Sequence, residues 1–91
     1  MNPLTLPQFQ AEIARCRELF LLKTADYGTA WRVLRPSSVT DQLYIKARRI
    51  RSIEEKGTQR VAEGIESELV ALVNYSIIGL MQLELTDADP A

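Results

Sequence analysis

The chain has 91 residues, enough for one small domain, and it carries 11 Lys and Arg against 12 Asp and Glu, with one Cys and no His. One Cys excludes an internal disulfide framework, and the lack of His excludes a Cys/His zinc site and any His-dependent nucleophile. No charged leader followed by an apolar run opens the sequence, so we expect a cytoplasmic protein.

The charges are unevenly distributed along the chain. Residues 15–60 carry all 11 basic residues and 5 acidic ones, a net charge of +6, whereas the rest carries 7 acidic residues and no basic ones. A basic middle beside an acidic remainder fits an anionic ligand, and it equally fits two helices or two subunits that pair with each other. The charge pattern alone leaves these alternatives open.

A first amphipathic helix is predicted over roughly 6–25. Thr5 and Gln8 have the spacing of a capping box, which marks the start of a helix. The helix should end near Gly28, because glycine readily adopts the positive φ of a helix C-terminus. Apolar residues recur between these ends at helical spacing, and Cys16 among them indicates packing rather than chemistry. They are Leu6, Phe9, Ile13, Cys16 and Phe20.

A connector over 29–38 and a second helix over about 39–56 follow. Pro36 disfavours a helical conformation at the residue before it, and Ser38 offers a fresh N-cap. Around the connector, charged side chains stand beside aromatic rings: Lys23, Asp26, Tyr27, Trp31, Arg32 and Arg35. This set is either an aromatic plug over one end of a bundle or a surface on which a base stacks while cations hold its phosphates.

A polar linker over 57–64 leads to a third helix over about 65–85 that is apolar almost all the way round. Polar residues interrupt it, so we expect a buried helix rather than a membrane span, and no membrane partner. A domain this small cannot cover such a helix alone, so we expect self-association through it. Ala71 and Gly79 permit close approach and mark a candidate subunit contact. The acidic tail over 86–91 should be frayed.

These elements predict a single all-α domain over residues 1–91, a three-helix antiparallel bundle paired into a homo-oligomer through the third helix. Within it, Lys46 falls in the apolar sector of the second helix when the helix is projected at about 100° per residue. Gln42 and Arg49 flank it. A Lys directed into a core needs an anion. One interpretation is a structural ion pair with Glu54 or Glu66. The other is a pocket in which Lys46, Arg49 and Gln42 bind a phosphate or carboxylate.

Several segments form a more specific pattern. It comprises the run Lys23–Ser38 with Asp26-Tyr27-Gly28 and Trp31-Arg32, then Thr40-Asp41-Gln42, Ile45-Lys46, Arg49-Ile50-Arg51, Glu54-Glu55, Gly64-Ile65 and Asn74-Tyr75. In these residues, over roughly 12–83, the chain resembles the nucleotide modification associated domain, a bacterial and phage family formerly known only as a domain of unknown function. The resemblance implies a bacterial protein whose theme is nucleotide recognition.

A looser resemblance extends to all-α nucleoside triphosphate pyrophosphatases, in the Asp-Tyr-Gly opening, the basic second helix and the region of Asn74. Those enzymes hold Mg²⁺ with several carboxylates, so the resemblance implies Mg²⁺ as the candidate cofactor, with Glu66 and Glu54 as candidate ligands. Glu66 matches one acidic position of that pattern, but two others fall at Ala71 and Ser67 in this chain. The carboxylate cluster is therefore depleted, which favours recognition over hydrolysis and leaves enzymatic activity open.

Two hypotheses of function follow. In the first, the chain is a nucleotide-binding domain of a nucleotide-modification or nucleotide-pool system, and its binding residues are Lys46, Arg49, Gln42, Arg32, Arg35, Trp31, Tyr27, Lys23, Asp26 and Asn74. In the second, it is a non-enzymatic helical module that binds an acidic partner or a nucleic acid. A buried Lys46 in one cavity with Trp31 favours the first. Arg48, Arg51 and Arg32 on one open face favour the second.

Overall fold

The computed structural model describes residues 1–57 and 61–84, with the backbone alone over 61–63. Within these residues the chain forms three α-helices: α1 (Thr5–Tyr27), α2 (Pro36–Lys56) and α3 (Val61–Leu83). A short 3-10 helix, Ala30–Val33, lies between the first two. Helices α2 and α3 pack along each other, whereas α1 contacts α3 through its middle and C-terminal turns. The predicted all-α bundle is confirmed.

Helix α1 begins without the predicted capping box. Its N-cap residue is Leu4, whose backbone N–H donates to Asn2 Oδ1 at 2.8 Å, and no side chain caps the helix. Thr5 is already the first helical residue, so its hydroxyl is not in the position of a cap. The other end is as predicted, because Gly28 has a φ of 65° and its N–H donates to the Thr24 carbonyl at 2.8 Å.

Helix α2 begins earlier than predicted. Pro36 occupies its first turn, where the missing N–H costs nothing, and the extended residue before it, Arg35, is the N-cap. Ser38 therefore lies inside the helix, and its predicted role as a cap was wrong. The helix ends as predicted at Gly57, which has a φ of 60° and donates its N–H to the Ile53 carbonyl.

Helix α3 also begins earlier than predicted, so residues 61–64 of the expected linker are helical. Its small residues lie against α2: a Cβ on Gly64 would stand 3.1 Å from Ile53 Cδ1, and one on Gly79 would stand 3.2 Å from Val39 Cγ1. The face with Gly79 is therefore an intramolecular contact and not the predicted subunit contact. The predicted frayed tail at 86–91 lies outside the described residues.

Helix α3 is not buried within one copy of the chain. Only 11% of its Gly64–Leu83 window is buried, and among the described residues it is the one helix long and apolar enough by length and composition to cross a membrane. Val70, Ile78 and Gln82 are buried, but a stripe of large apolar side chains is 44–71% exposed. The stripe comprises Leu69, Val73, Ile77, Leu80 and Leu83. Helices α1 and α2 cover two sides of α3 and leave this third side open.

The apolar stripe predicted on α1 is also covered along only part of its length. Cys16 is buried, as predicted, and Phe20 is half-buried. Nearer the N-terminus of the helix, Leu6, Phe9 and Ile13 are 49–61% exposed. The first turns of α1 therefore carry the same apolar face beyond the part of the helix that packs on α3.

Candidate functional site

A cavity of about 570 Å³ lies between α1, the connector, α2 and α3. This volume is within the roughly 300–1,000 Å³ of typical small-molecule sites. Its wall combines four aromatic rings with two lysines, a carboxylate and an amide, and these side chains belong to Phe20, Lys23, Tyr27, Trp31, Lys46, Glu68, Asn74 and Tyr75. The cavity wall is therefore largely apolar with a few polar groups, which is the usual composition of a ligand site.

The connector places Trp31 at one wall of this cavity. Gly28 ends α1, and the 3-10 turn that follows brings the indole against Phe20, with ring centroids 6.0 Å apart and planes inclined by 52°. The guanidinium of Arg32 lies 4.4 Å from the centroid of the Trp31 ring, a cation–π contact. The indole Nε1 is buried and has no hydrogen-bond partner within the described part of the chain.

A buried glutamine fixes the connector to α3. The Nε2 group of Gln82 donates to the carbonyl of Arg32 at 2.8 Å and to that of Leu34 at 3.1 Å. Gln82 is only 8% exposed, so these bonds satisfy carbonyls at the end of the 3-10 turn away from bulk water. The position of Trp31 therefore depends on a side chain about one helical turn beyond the cavity wall.

The half-buried Lys46 has a partner, but it is neither of the carboxylates predicted. Its Nζ lies 3.7 Å from Glu68 Oε2, and the side chains are 19% and 16% exposed. The other oxygen of the same carboxylate, Oε1, lies 3.7 Å from Arg49 Nη1. The predicted pairing of Lys46 with Glu54 or Glu66 was wrong, because the face of α3 that packs on α2 is the one bearing Glu68.

The contacts to Glu68 balance its charge without completing its hydrogen bonding. Both nitrogen–oxygen distances exceed the usual range of N–H···O bonds, about 2.7–3.2 Å. Glu68 Oε2 is buried, and none of the described residues forms a hydrogen bond with it. Among the described residues, the walls around the cavity therefore contain two buried polar atoms without a hydrogen-bond partner, Glu68 Oε2 and Trp31 Nε1, and neither atom is accessible to solvent.

Asn74 joins α1 to α3 at the same site. Its Nδ2 donates to the backbone carbonyl of Cys16 at 3.0 Å, and the half-buried side chain lines the cavity. This bond orients the amide group. Its nitrogen is the donor to Cys16, and its oxygen takes no part in the bond. A polar residue in the middle of an apolar helix thus has both a structural partner and access to the cavity.

The structure brings half of the predicted binding residues together. Those that line the cavity are Lys23, Tyr27, Trp31, Lys46 and Asn74. Arg49 reaches the cavity through its contact with Glu68. The residues that do not line it are Gln42, Asp26, Arg32 and Arg35. Of these, Arg32 has an indirect part, since its guanidinium packs on Trp31.

The sequence-based prediction missed Glu68 and Tyr75 as binding residues. Both share a helical face with Ala71 and Gly79, which the sequence analysis interpreted as a candidate subunit contact. The small residues were the available signal: they mark the side of α3 that approaches α2 most closely, and a carboxylate on that side must face the basic helix.

The two candidate metal ligands lie away from the cavity. Glu66 Oε2 accepts a hydrogen bond from Arg15 Nη2 at 3.2 Å, beside a second cavity of about 400 Å³ between α1 and α3. Desolvation lowers the pKa of Arg15, but the hydrogen bond and charge of Glu66 and the charge of Glu12 outweigh it and raise the pKa above its usual value. Glu54 is exposed on α2 and lines neither cavity.

The described side chains do not fit a protein-held Mg²⁺ site. No group of three Asp, Glu, His or Cys residues lies close enough to hold a metal among them, and Glu63 falls outside the side chains that the structure describes. Mg²⁺ requires near-octahedral oxygen ligation, and Glu68 is the single described carboxylate in the cavity wall.

The fold and the cavity define a small all-α domain with an aromatic and basic ligand site. The family model of nucleotide modification associated domain 1 matches residues 23–83, about two thirds of the chain. The chain belongs to this family, as its sequence pattern predicted. The matched residues include most of the cavity wall. Comparison with curated proteins and with solved structures gave no match. The looser resemblance to pyrophosphatases stays a prediction.

Proposed function

We propose that the chain binds a nucleotide in the cavity between α1, the connector, α2 and α3, as the recognition domain of a nucleotide-modification or nucleotide-pool system. The observation that carries this proposal is the shared position of Lys46 and Trp31. Both line one cavity, and the Lys46 side chain is only 19% exposed. This is the arrangement that favours nucleotide binding over a surface interaction. The family's association with nucleotide modification supports the same choice.

The aromatic wall suits the base of the ligand. Phe20, Trp31 and Tyr75 are half-buried and Tyr27 stands at the exposed side. Flat rings of this kind stack with a nucleobase, a contact worth about 1–3 kcal/mol per base. A base inside the cavity also replaces water next to these rings, so stacking and burial act in the same direction.

The cations suit the phosphate, and two of the three lie toward solvent. Lys23, Lys46 and Arg49 surround the cavity with three positive charges against the one negative charge of Glu68, a net charge of +2. Lys23 is exposed and the Arg49 side chain is 57% exposed. A phosphate at this rim would be paired with cations while it keeps part of its hydration, which avoids the cost of burying a charge.

The second hypothesis, an open basic face for an acidic partner or a nucleic acid, has less support. Arg48 and Arg51 are exposed on the side of α2 away from α3, with the Arg48 guanidinium 6.0 Å from the Tyr44 ring. Arg32 does not join them, because it is half-buried against Trp31. The salt dependence of binding separates the two hypotheses, since nucleic-acid binding falls steeply with added salt.

We also propose that the chain self-associates, through the exposed stripe of α3. Positions 69, 73, 76, 80 and 83 repeat at alternating spacings of four and three residues, the pattern of a coiled-coil seam. Four of them are the large apolar residues of the stripe, and the fifth, Ser76, donates its hydroxyl to the Leu72 carbonyl at 2.7 Å. The seam would therefore place no unpaired polar group in an interface.

The test of nucleotide binding is a thermal-shift and calorimetric panel of nucleoside mono-, di- and triphosphates, with and without Mg²⁺. At 100 times its dissociation constant, a specific ligand adds about 2.7 kcal/mol of stability. Each kcal/mol raises the Tm of a domain this size by about 4–8 °C. We expect the native chain and an Arg51→Met control to respond, and Lys46→Met and Lys23→Met to lose affinity.

Two results would contradict the proposal. A panel that is flat at millimolar nucleotide, with the native chain folded by circular dichroism, excludes nucleotide recognition by this chain. Binding to DNA that weakens steeply with salt, without any response to mononucleotides, favours the basic-face hypothesis instead. Lys23 is exposed, so Lys23→Met tests the phosphate contact even where Lys46→Met affects folding.

A further inference from the structure

We infer that the first turns of α1 form an arm that packs on the exposed stripe of α3 in a second copy of the chain. The arm is the part of α1 before Arg15, residues 5–14, and its apolar face comprises Leu6, Phe9 and Ile13. This inference rests on the proposed self-association and adds the surface that completes the interface. It does not depend on nucleotide binding.

The arm continues the face of α1 that already packs on α3 within one chain. When α1 is projected as a regular helix, the three apolar arm residues share a sector of about 80° with Cys16 and Phe20. Cys16 is buried and Phe20 is half-buried, whereas the arm residues are about half exposed. A face that packs on one α3 therefore continues for about three turns beyond it.

The contacts of α1 indicate on which side of α3 the arm lies. Lys23 and Tyr27, near the C-terminus of α1, share the cavity wall with Lys46 of α2. Arg15 instead pairs with Glu66, which is exposed and lies between the side of α3 that α1 covers and the open stripe. Because a helix bends only gently, the turns before Arg15 continue away from α2. The arm and the exposed stripe of α3 therefore border one notch.

The charges near these two surfaces favour a protein partner over a lipid surface. All 11 basic residues lie within 15–60, so neither the arm nor α3 carries a Lys or Arg. Helices that lie on membranes usually carry Lys and Arg beside their apolar face. The apolar face of the arm and the stripe of α3 are themselves uncharged, so a partner can cover both without burying a charge. A second copy offers two matching uncharged surfaces, its own α3 and its own arm.

The size of a stable interface also favours a role for the arm. Each partner in such an interface contributes about 800 Å² of surface and roughly 20–30 residues. The exposed stripe of α3 has five large apolar residues on one helix, which is small by this measure. The arm adds a second helix with three more large apolar residues. Around a two-fold axis, the arm of each copy covers the α3 of the other, and the contact closes as a dimer.

The first experiment measures the dimer affinity of arm variants by analytical ultracentrifugation. Phe9→Glu and Ile13→Glu should each weaken the dimer by about 100-fold or more, because a buried large apolar side chain is worth roughly tenfold or more and a two-fold axis repeats the loss. Ala11→Glu, exposed on the opposite side of α1, is the matched control and should leave the affinity unchanged. Circular dichroism should show that all three variants keep the fold, because the substituted residues are exposed in one chain.

The second experiment identifies the surface that the arm contacts. Ile77 is the stripe residue nearest to α1 in helical projection. A Phe9→Glu chain and an Ile77→Lys chain should form a mixed dimer, because the acidic arm of one meets the basic α3 of the other. Phe9→Lys mixed with Ile77→Lys is the matched control, and its like charges should make association at least about 10-fold weaker. Fluorescence anisotropy of one labelled chain measures both mixtures.

The outcomes separate this inference from the proposed self-association. If Val73→Glu dissociates the dimer while Phe9→Glu and Ile13→Glu do not, α3 pairs without the arm, and the inference is wrong while self-association stands. Equal association of the two mixtures would show that the arm does not meet the α3 of the partner. A native chain that is monomeric at 100 µM overturns both proposals. Sedimentation of the native chain with lipid vesicles, lost in Phe9→Glu, would assign the arm to a membrane surface instead.

These results do not bear on nucleotide binding. The residues of the arm and of the exposed stripe are absent from the wall of the nucleotide cavity, which lies toward α2. The nucleotide panel therefore tests that proposal separately, with monomeric and dimeric chains alike.

Discussion

At the scale of single residues, the ion pair between Lys46 and Glu68 has a cost as well as a use. Both side chains are mostly out of water, so each charge depends on the other and on Arg49 for compensation. A buried pair of this kind is weak support for stability, because desolvation offsets much of the attraction. The natural explanation for keeping it is the polar surface that it gives the cavity.

The first prediction concerns the stability of this pair. Lys46→Met should destabilise the fold by about 2–4 kcal/mol, because it leaves the buried Glu68 carboxylate with Arg49, a mostly exposed side chain, as its one remaining cation. The double variant Lys46→Met/Glu68→Leu should recover most of that loss. Urea unfolding measures both, with Arg51→Met expected to stay within about 0.5 kcal/mol of the native chain. Equal stability of all the variants would mean that water reaches the carboxylate freely.

The second prediction concerns the side chain that holds the connector. Gln82→Leu should cost about 1–3 kcal/mol, because the carbonyls of Arg32 and Leu34 lose their buried donor. The chain has a single tryptophan, Trp31, so its fluorescence reports the loosened connector directly. We expect emission shifted toward that of solvent-exposed indole, and no shift for Gln10→Leu on the exposed surface of α1. An unshifted emission spectrum would show that other contacts hold the connector.

At the scale of the elements, the pairing of α2 with α3 sets the geometry of the cavity. Glycines on α3 let the two helices approach until side chains of α2 touch the α3 backbone, at Val39 against Gly79 and at Ile53 against Gly64. This close approach places Lys46 and Glu68 opposite each other. Helix α1 covers the other side of α3, where the Asn74 side chain donates a hydrogen bond to the backbone carbonyl of Cys16 in α1.

The third prediction is a double-mutant cycle across this contact. Gly79→Ala alone gains helix propensity but places a Cβ about 3.2 Å from Val39 Cγ1, and Val39 is only 3% exposed and cannot easily move. Val39→Ala alone leaves a gap. The two together should be more stable than the sum of the single effects by at least 0.5 kcal/mol, the lower end for contacting residues. Strict additivity in urea unfolding would show that the helices adjust their spacing freely.

At the scale of the whole molecule, the unusual feature is how much apolar surface one copy leaves open. The exposed stripe of α3 and the first turns of α1 together present large apolar side chains that are about half accessible. Surfaces of this kind on soluble proteins mark interaction sites. A second copy of the chain is the partner that the seam spacing on α3 favours, because identical seams can interdigitate.

The fourth prediction tests this association. Light scattering after size exclusion should give a mass above the 10.3 kDa of one chain, and Val73→Glu or Leu80→Glu should return it to that mass. Val33→Glu, a 77% exposed residue outside α3, is the control and should not change the mass. A native chain that is monomeric at 100 µM excludes the proposed pairing. A dimer of micromolar affinity, which corresponds to a binding free energy of about 8 kcal/mol, would form at that concentration. Sedimentation with lipid vesicles would point to a membrane surface instead.

The sequence by itself determined the helices, two of their ends and the family. Gly28 and Gly57 end α1 and α2 because only glycine takes a positive φ at no cost, and this is a local property. Lys46 and Trp31 were also identified as candidate binding residues from the local sequence. Lys46 is a charged residue on an apolar helix face, and Trp31 is an aromatic residue among cations.

Only the tertiary structure decided which charge faces Lys46 and which side of α3 stays open. A helical projection gives the angle between two residues of one helix, but not the sector that meets a neighbouring helix. The sector can be inferred when one face is clearly apolar, and α3 is apolar on nearly every face. The sector that meets α2 therefore depends on where Gly64 and Gly79 allow α2 to approach, and this approach makes Glu68, on a face expected to contact another subunit, part of the cavity wall.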